Sequence, residues 1–380
     1  MAIILLIFVY NRVMGNKLSH PDVTKTDLVN ENVSLKKIIY NLENELINLK
    51  STKYNDIDNN FIDKLNTSIE NLVFEGGGIK GISFCGAIQE LEKNNLLKNI
   101  KRYGGSSVGA IYASLLSIGY TSDEISNIIL KTNFTDFVDH KVGYINDFYN
   151  LLNNYGYCEG DHFYNWIGTL IKKKTNNENY TFEELWNEKN IDLVITGTNL
   201  NTMKTIYYSY RTNPHMYIRD AVRISISIPI LFRPIIWDND VLADGGLIDN
   251  YPIHIFDGEY PGEISAQKGL CNANCKTLGL KISSSNLLDF LDQNTITNIT
   301  GLQSFLYKLL DIFCSYNNTH TLCQKDLIRS IIIDPGNIQT TQFNICDNDK
   351  HFLINQGIKA TRSFIKIREM LQNKKNTNNI

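Results

Sequence analysis

Nowhere in its 380 residues does the chain carry an extended basic face, a paired-cysteine metal framework or a calcium loop. Net charge is −3 with acidic and basic residues interspersed, so the electrostatic footprint of a nucleic-acid binder is missing. A short basic run, Lys172-Lys173-Lys174, reads as a solvated helix end. The seven cysteines are scattered, and only Cys271 and Cys275, in CNANC, lie close together, with no second pair at zinc-like spacing. They read as reduced thiols of a cytoplasmic protein without a metal. No D-x-[DN]-x-[DN]-G stretch offers a calcium loop, and no cofactor is implied. The apolar run 2–10, AIILLIFVY, is too short to span a bilayer and lacks the basic flank and small-residue cleavage site of a secretory signal.

What is present suffices for a sizeable core: 43% of residues are hydrophobic and 11% aromatic. Residues 1–33 form an apolar-then-polar leader. Within it MGNKLS (14–19) fits the N-myristoylation pattern and makes Gly15 a lipidation candidate should translation begin at Met14, although a chance match is the preferred reading. Leu35, Ile39, Leu42, Leu46 and Leu49 make an a/d seam on a helix over 34–52. A short coiled coil there would self-associate, whereas docking of one amphipathic helix on the main domain is the plainer expectation. A polar linker (53–68) follows, then short apolar strands alternating with helical segments over 69–373, and a polar tail at 374–380. That alternation predicts a three-layer α/β/α sandwich around a largely parallel sheet.

Residues 74–81, FEGGGIKG, place three bare backbone units at the end of the strand NLVF (71–74). A Walker A loop is excluded, because Lys80 comes one place early and Ile82-Ser83 follows Gly81. Gly76, Gly78 and Gly81 satisfy G-x-G-x-x-G, but the acidic residues downstream, Glu90 and Glu92, fall inside a helix where a dinucleotide site needs a strand end. A nucleotide-binding protein stays open on this motif alone. GSSVG (105–109) changes the balance: Gly105, Ser107 and Gly109 sit between a short strand and an apolar helix, the setting in which G-x-S-x-G exposes a serine hydroxyl on a sharp turn. Two parallel strands ending side by side would bring the N–H groups of Gly76, Gly77 and Gly78 beside Ser107, as an oxyanion hole.

A serine nucleophile needs a base. Seven histidines are present, none in glycine-rich surroundings; His254 and His351 follow Ser107 in the order a Ser-His-Asp esterase would require. Asp244, in LADGGLIDNYP ahead of Gly245 and Gly246, sits on a turn with open backbone and is the better candidate, with Asp249 as the other carboxylate.

FEGGGIKG, GGSSVGA and ADGG, in that order, together with SISIPILFRP (225–234) and GGLIDNYP (245–252), resemble the signatures of patatin-like phospholipases. The resemblance covers the motif-bearing core 70–260 and extends over the rest of the domain to about 373. It implies a lipid acyl hydrolase of phospholipase A type with a Ser107–Asp244 dyad, an oxyanion loop at Gly76 to Gly78, no metal, and a phospholipid substrate met at a membrane or lipid-aggregate surface. Glu75 and Lys80 stand where many members carry aspartate and arginine. The Phe- and Tyr-rich segment 134–167 either caps the site at that surface or belongs to packed helices, and 258–276 reads as a loop insertion.

Overall fold

A computed structural model describes residues 69–138, 153–258, 273–283, 305 and 322–378. The leader with Gly15, the 34–52 helix, the linker, the centre of the aromatic segment and most of the 258–276 loop lie outside the described residues. The compact unit Ile57–Phe364 contains every strand among the described residues; the described part of a second unit is the end of the last helix, from Ile365.

Eight strands make one sheet in the order β10-β9-β1-β2-β4-β8-β7, with β5 paired to β4. Strands β1 (Asn71–Phe74), β2 (Arg102–Gly105), β4 (Asp192–Asn199), β9 (Thr277–Ile282) and β10 (Ser330–Ile333) run parallel. Strands β5 (Lys204–Tyr208) and β8 (Asp240–Asp244) pair antiparallel to β4, and β7 (Ile235–Trp237) antiparallel to β8. A separate parallel pair joins β3 (Gly156–Cys158) to β6 (Ile230–Phe232).

All four residues of β1 and all eight of β4 are buried, as expected of strands covered on both faces. Among the described residues the helices in chain order are α1 (Ser83–Lys93), α2 (Val108–Ser117), α3 (Ser122–Lys131), α4 (Asp161–Thr175), α5 (Phe182–Lys189), α6 (Ile218–Ser225), α7 (Gln324–Ile328) and α8 (Asp347–Asn378). Local chemistry starts two of them: Thr121 with Glu124, and Thr181 with Glu184, form reciprocal capping boxes. A turn at Asp238-Asn239 joins β7 to β8, and both residues adopt positive φ, 49° and 69°.

Two features depart from expectation, and one open alternative is decided. The helix after the glycine run begins as a 3-10 turn, Gly78–Ile82, before α1. Among the described residues of the aromatic segment, Phe137 packs edge-on against Phe134, Phe163 and Trp166 with ring centroids 5.1–6.0 Å apart, so these rings serve packing. Cys323 is disulfide-bonded, contrary to the reduced thiols expected, while Cys85, Cys158, Cys275 and Cys346 are free.

Candidate active site

The site lies at the carboxyl edge of the parallel strands, where α/β sheets bind ligands. β2 ends at Gly105, Ser107 follows, and α2 begins at Val108. Ser107 adopts φ 52°, ψ −125°, a conformation that costs a non-glycine residue roughly 1–3 kcal/mol and persists only when its surroundings impose it. Here they do. The Ser107 N–H donates to Ser225 Oγ at 2.9 Å, and Ser106 N–H reaches the Phe74 carbonyl at 3.3 Å. Gly105 and Gly109 let the turn close: a Cβ on Gly105 would lie 2.3 Å from the Gly109 carbonyl oxygen, and one on Gly109 2.5 Å from that of Phe74.

Asp244 is the last residue of β8, held opposite Gly197 of β4. Its backbone is fixed on both sides, N–H to the Ser227 carbonyl at 3.0 Å and carbonyl to the Thr198 hydroxyl at 2.8 Å. Its Oδ1 accepts the Gly246 N–H at 2.6 Å and its Oδ2 accepts the Ser107 hydroxyl at 2.8 Å. Burial pushes the carboxyl up to about 7, against the opposing pull of the hydrogen bonds from Ser107 and Gly246. A buried carboxylate with a pKa near neutrality, in contact with a strained serine hydroxyl, is equipped to take a proton from it. Gly245 packs between Thr196 and Ser106, and Gly246 faces the Asn250 side chain.

The glycine loop flanks this pair. Gly76 is close enough to Ser107 that an added Cβ would sit 3.1 Å from the serine Cβ. Its N–H, however, donates to the Asn250 carbonyl at 2.9 Å and is committed there. The amides of Gly77 and Gly78, at the head of the 3-10 turn, have no acceptor among the described residues. Gly78 has φ +54° and lies against the Thr340 carbonyl, which also accepts the Ile79 N–H at 3.0 Å. Gly81 packs on Val108, tying the turn to the start of α2. The resulting crevice has Ser107 and Asp244 on its floor, with Ile228, Pro229, Leu247 and Ile282 supplying apolar wall and Lys80 and Thr340 also lining it.

Beneath the loop, Glu75 is fully buried and pairs with Lys281 of β9 at 2.5 Å, while its other oxygen accepts the Ile282 N–H. Burial raises the Glu75 carboxyl and the lysine works against that rise. Sequence reading missed several such contributors. Asn250 lies within GGLIDNYP and Ser225 opens SISIPILFRP, neither singled out there; Lys281 and Thr340 carry no local signal at all.

The other candidates stand elsewhere. His254 bonds Asp257 at 2.7 Å and Asp326 at 3.2 Å, and both carboxylates also grip the buried Arg329, at 2.6 and 2.8 Å. Burial opposes its charge, but the two carboxylates prevail and hold its imidazolium up to about 9. With Arg329 already on both carboxylates, this His-Asp-Asp cluster carries its own countercharge and has no need of a metal. His351 is exposed on α8, and Asp249 accepts the Tyr207 hydroxyl at 2.8 Å. Glu90 pairs with Arg362 at 3.0 Å and Glu92 accepts the Ser122 N–H at 3.1 Å, so both acids that a dinucleotide fingerprint would call on are engaged in packing.

A mixed, mostly parallel sheet flanked by helices, with its site at the strand ends, is an α/β fold of the kind seen in VipD from Legionella pneumophila. That structure is similar with a TM-score of 0.54 over 79% of this chain and 67% of that one, at 18% identity. The family follows from the sequence comparison: the profile described as Patatin-like phospholipase matches residues 72–257. An uncharacterized protein of Acanthamoeba polyphaga mimivirus is 32% identical over 304 residues, covering 79% of this chain and 94% of its own. A probable lipid hydrolase of Invertebrate iridescent virus 6 is 30% identical over 48% of this chain, which spans 62% of that relative. The chain belongs to the patatin-like phospholipase family.

Proposed function

We propose that the protein is a lipid acyl hydrolase of phospholipase A type, cleaving carboxylic esters with Ser107 as nucleophile and Asp244 as base. The observation that carries this reading is the 2.8 Å hydrogen bond from Ser107 Oγ to Asp244 Oδ2 at a buried carboxyl with a pKa of about 7. Family membership and the name of the iridescent virus relative support the substrate class.

In the first step Ser107 Oγ attacks the ester carbonyl carbon as Asp244 takes the hydroxyl proton. The oxyanion is held by the N–H groups of Gly77 and Gly78; Gly76, already bonded to Asn250, supports the loop instead. Collapse breaks the bond to the alcohol or lysolipid oxygen, which receives the proton from Asp244. Water, deprotonated by the same carboxylate, then attacks the acyl-enzyme, and the fatty acid leaves as Ser107 recovers its proton. Preorganised N–H donors of this sort are worth roughly 3–4 kcal/mol in the transition state. The apolar wall of Ile228, Pro229, Leu247 and Ile282 suits an acyl chain.

Ester release from phospholipid should vanish in both Ser107→Ala and Asp244→Asn while each variant keeps its fold by circular dichroism. Retained activity in Asp244→Asn, with loss in His254→Ala, would transfer the role of base to histidine and sink the dyad.

A further inference from the structure

Two hairpin turns overhang the edge of the sheet that carries the site. β8 runs antiparallel to β4 with Asp244 opposite Gly197 and Leu242 opposite Asn199, so Asp240 lies past the end of β4. It stands four positions beyond Asp244, about 13 Å at the usual strand rise. The turn between β4 and β5, residues 200–203, projects beside it.

Both turns carry large apolar side chains into water: Met203 is 81% exposed, Ile236 69%, Trp237 46% and Leu200 43%. Ile236 and Trp237 are consecutive on β7 and point to opposite faces, so neither face of this hairpin is covered. The turns are also locked together. Leu200 N–H donates to the Val241 carbonyl at 2.9 Å, Val241 N–H to Asn201 Oδ1 at 2.8 Å, and Asn199 Nδ2 to Asp240 Oδ2 at 2.7 Å. Rigid, adjacent, apolar tips on the catalytic edge need an explanation that a solvated loop does not give.

We propose that these two tips are the surface by which the protein seats its site on a zwitterionic phospholipid bilayer, a proposal that rests on the lipid-hydrolase reading above. An indole and three aliphatic side chains transfer favourably to the interface, where an amphipathic ring finds both an apolar and a wet side. Charge selects the kind of surface. The two tips carry Lys204 against Asp238 and Asp240, one positive and two negative, so an anionic bilayer gains nothing from them. Pro229 in the crevice wall is separated from Ile235 only by β6 and the two residues after it, so docking would set the crevice mouth beside the lipid.

The experiment uses the full chain carrying Ser107→Ala, which removes turnover, and vesicles of brominated phosphatidylcholine. Of the three tryptophans, Trp166 packs against Phe137 and Trp186 stacks on Tyr210, leaving Trp237 as the exposed reporter. Vesicles should quench tryptophan emission, and Trp237→Phe should abolish the quenching while cosedimentation persists. Ile236→Asp with Trp237→Asp should weaken cosedimentation by on the order of tenfold or more. Quenching that survives Trp237→Phe, or cosedimentation unmoved by the double change, overturns the proposal. Tenfold tighter binding to phosphatidylserine vesicles overturns the choice of a zwitterionic surface. Conversion of a dimer to a monomer by the double change, seen by sedimentation without vesicles, overturns it in favour of a second copy on the same tips. Vesicle binding by a chain that hydrolyses no ester in its Ser107 form would sink the hydrolase reading and leave the docking surface standing.

Discussion

Asn250 holds Gly76 from both sides, its carbonyl accepting the Gly76 N–H at 2.9 Å and its side-chain amide donating to the Gly76 carbonyl at 3.2 Å. The turn that bears Asp244 is thereby fastened to the loop that bears the proposed oxyanion donors, with five residues between Asn250 and the carboxylate. Asn250→Ala removes only the side-chain half of the clamp. A bond of that kind is worth about 1 kcal/mol, so kcat should fall about fivefold to tenfold with KM nearly unchanged. Steady-state kinetics on a soluble ester checks this; a rise in KM alone would assign Asn250 to substrate binding.

The Asp244 carboxyl, raised by burial to about 7, must be ionised to act as base. Activity should therefore climb as pH rises through about 7 and level off above it, a single ionisation visible in kcat/KM. Stability runs the other way. A raised folded-state pKa means that the native protein holds a proton which the unfolded chain releases between about 4 and 7, so stability is lost across that window as pH rises. The displacement from 3.8 to about 7 amounts to a cost on the order of 4 kcal/mol at high pH. Asp244→Asn should be inactive and melt higher than the parent at pH 8, with the gap closing toward pH 4. Equal melting temperatures at pH 8 would contradict it.

For His254 the raised pKa has the opposite structural meaning, because the charged form is the one gripped by Asp257 and Asp326. Its contribution is complete below about 6.5 and disappears as pH rises through about 9. Thermal unfolding should show a fall in Tm across that interval, and His254→Gln should flatten it without removing ester hydrolysis at neutral pH. Abolished hydrolysis in a folded His254→Gln protein would place this imidazole in the chemistry.

The buried Glu75–Lys281 pair should be asymmetric to mutation. Lys281→Met strands a carboxylate with no exposure and should cost about 3–5 kcal/mol, whereas Glu75→Gln combined with Lys281→Met should recover much of that loss. Because Glu75 also accepts the Ile282 N–H and adjoins the glycine loop, the double variant should regain stability ahead of activity. Denaturant unfolding beside kcat separates the two; parallel recovery would make the pair purely structural.

The parallel strands were legible because burial on both faces favours short apolar runs, Leu72–Phe74 in β1 and Leu193–Ile195 in β4, and the β7–β8 hairpin because Asp238-Asn239 tolerates positive φ. Helices α3 and α5 carry no clear signal in the sequence, and α4 shows only its basic end at Lys172-Lys173-Lys174. Their apolar faces are diluted by polar residues and fixed by packing, as with Ile125 and Ile129 of α3 or Phe163 and Ile167 of α4. The aromatic segment was ambiguous for a related reason: a phenylalanine has the same identity whether it faces a core or a lipid, and only the contacts among Phe137, Phe163 and Trp166 decide.

By itself the sequence determined where the backbone would be bare or sharply turned, since glycine runs and an Asp-Gly-Gly turn state local conformational freedom directly. It marked Ser107, Asp244 and the glycine loop as special in that sense. Their meeting around one crevice is a tertiary result, because it depends on β1, β2 and β8 ending at the same edge of a sheet whose strand order no local signal encodes. So are the commitment of the Gly76 N–H to Asn250, the burial that lifts Asp244, and the Lys281 and Thr340 supports. Hydrogen bonds and desolvation act between groups up to about two hundred residues apart, and chain proximity carries no record of them.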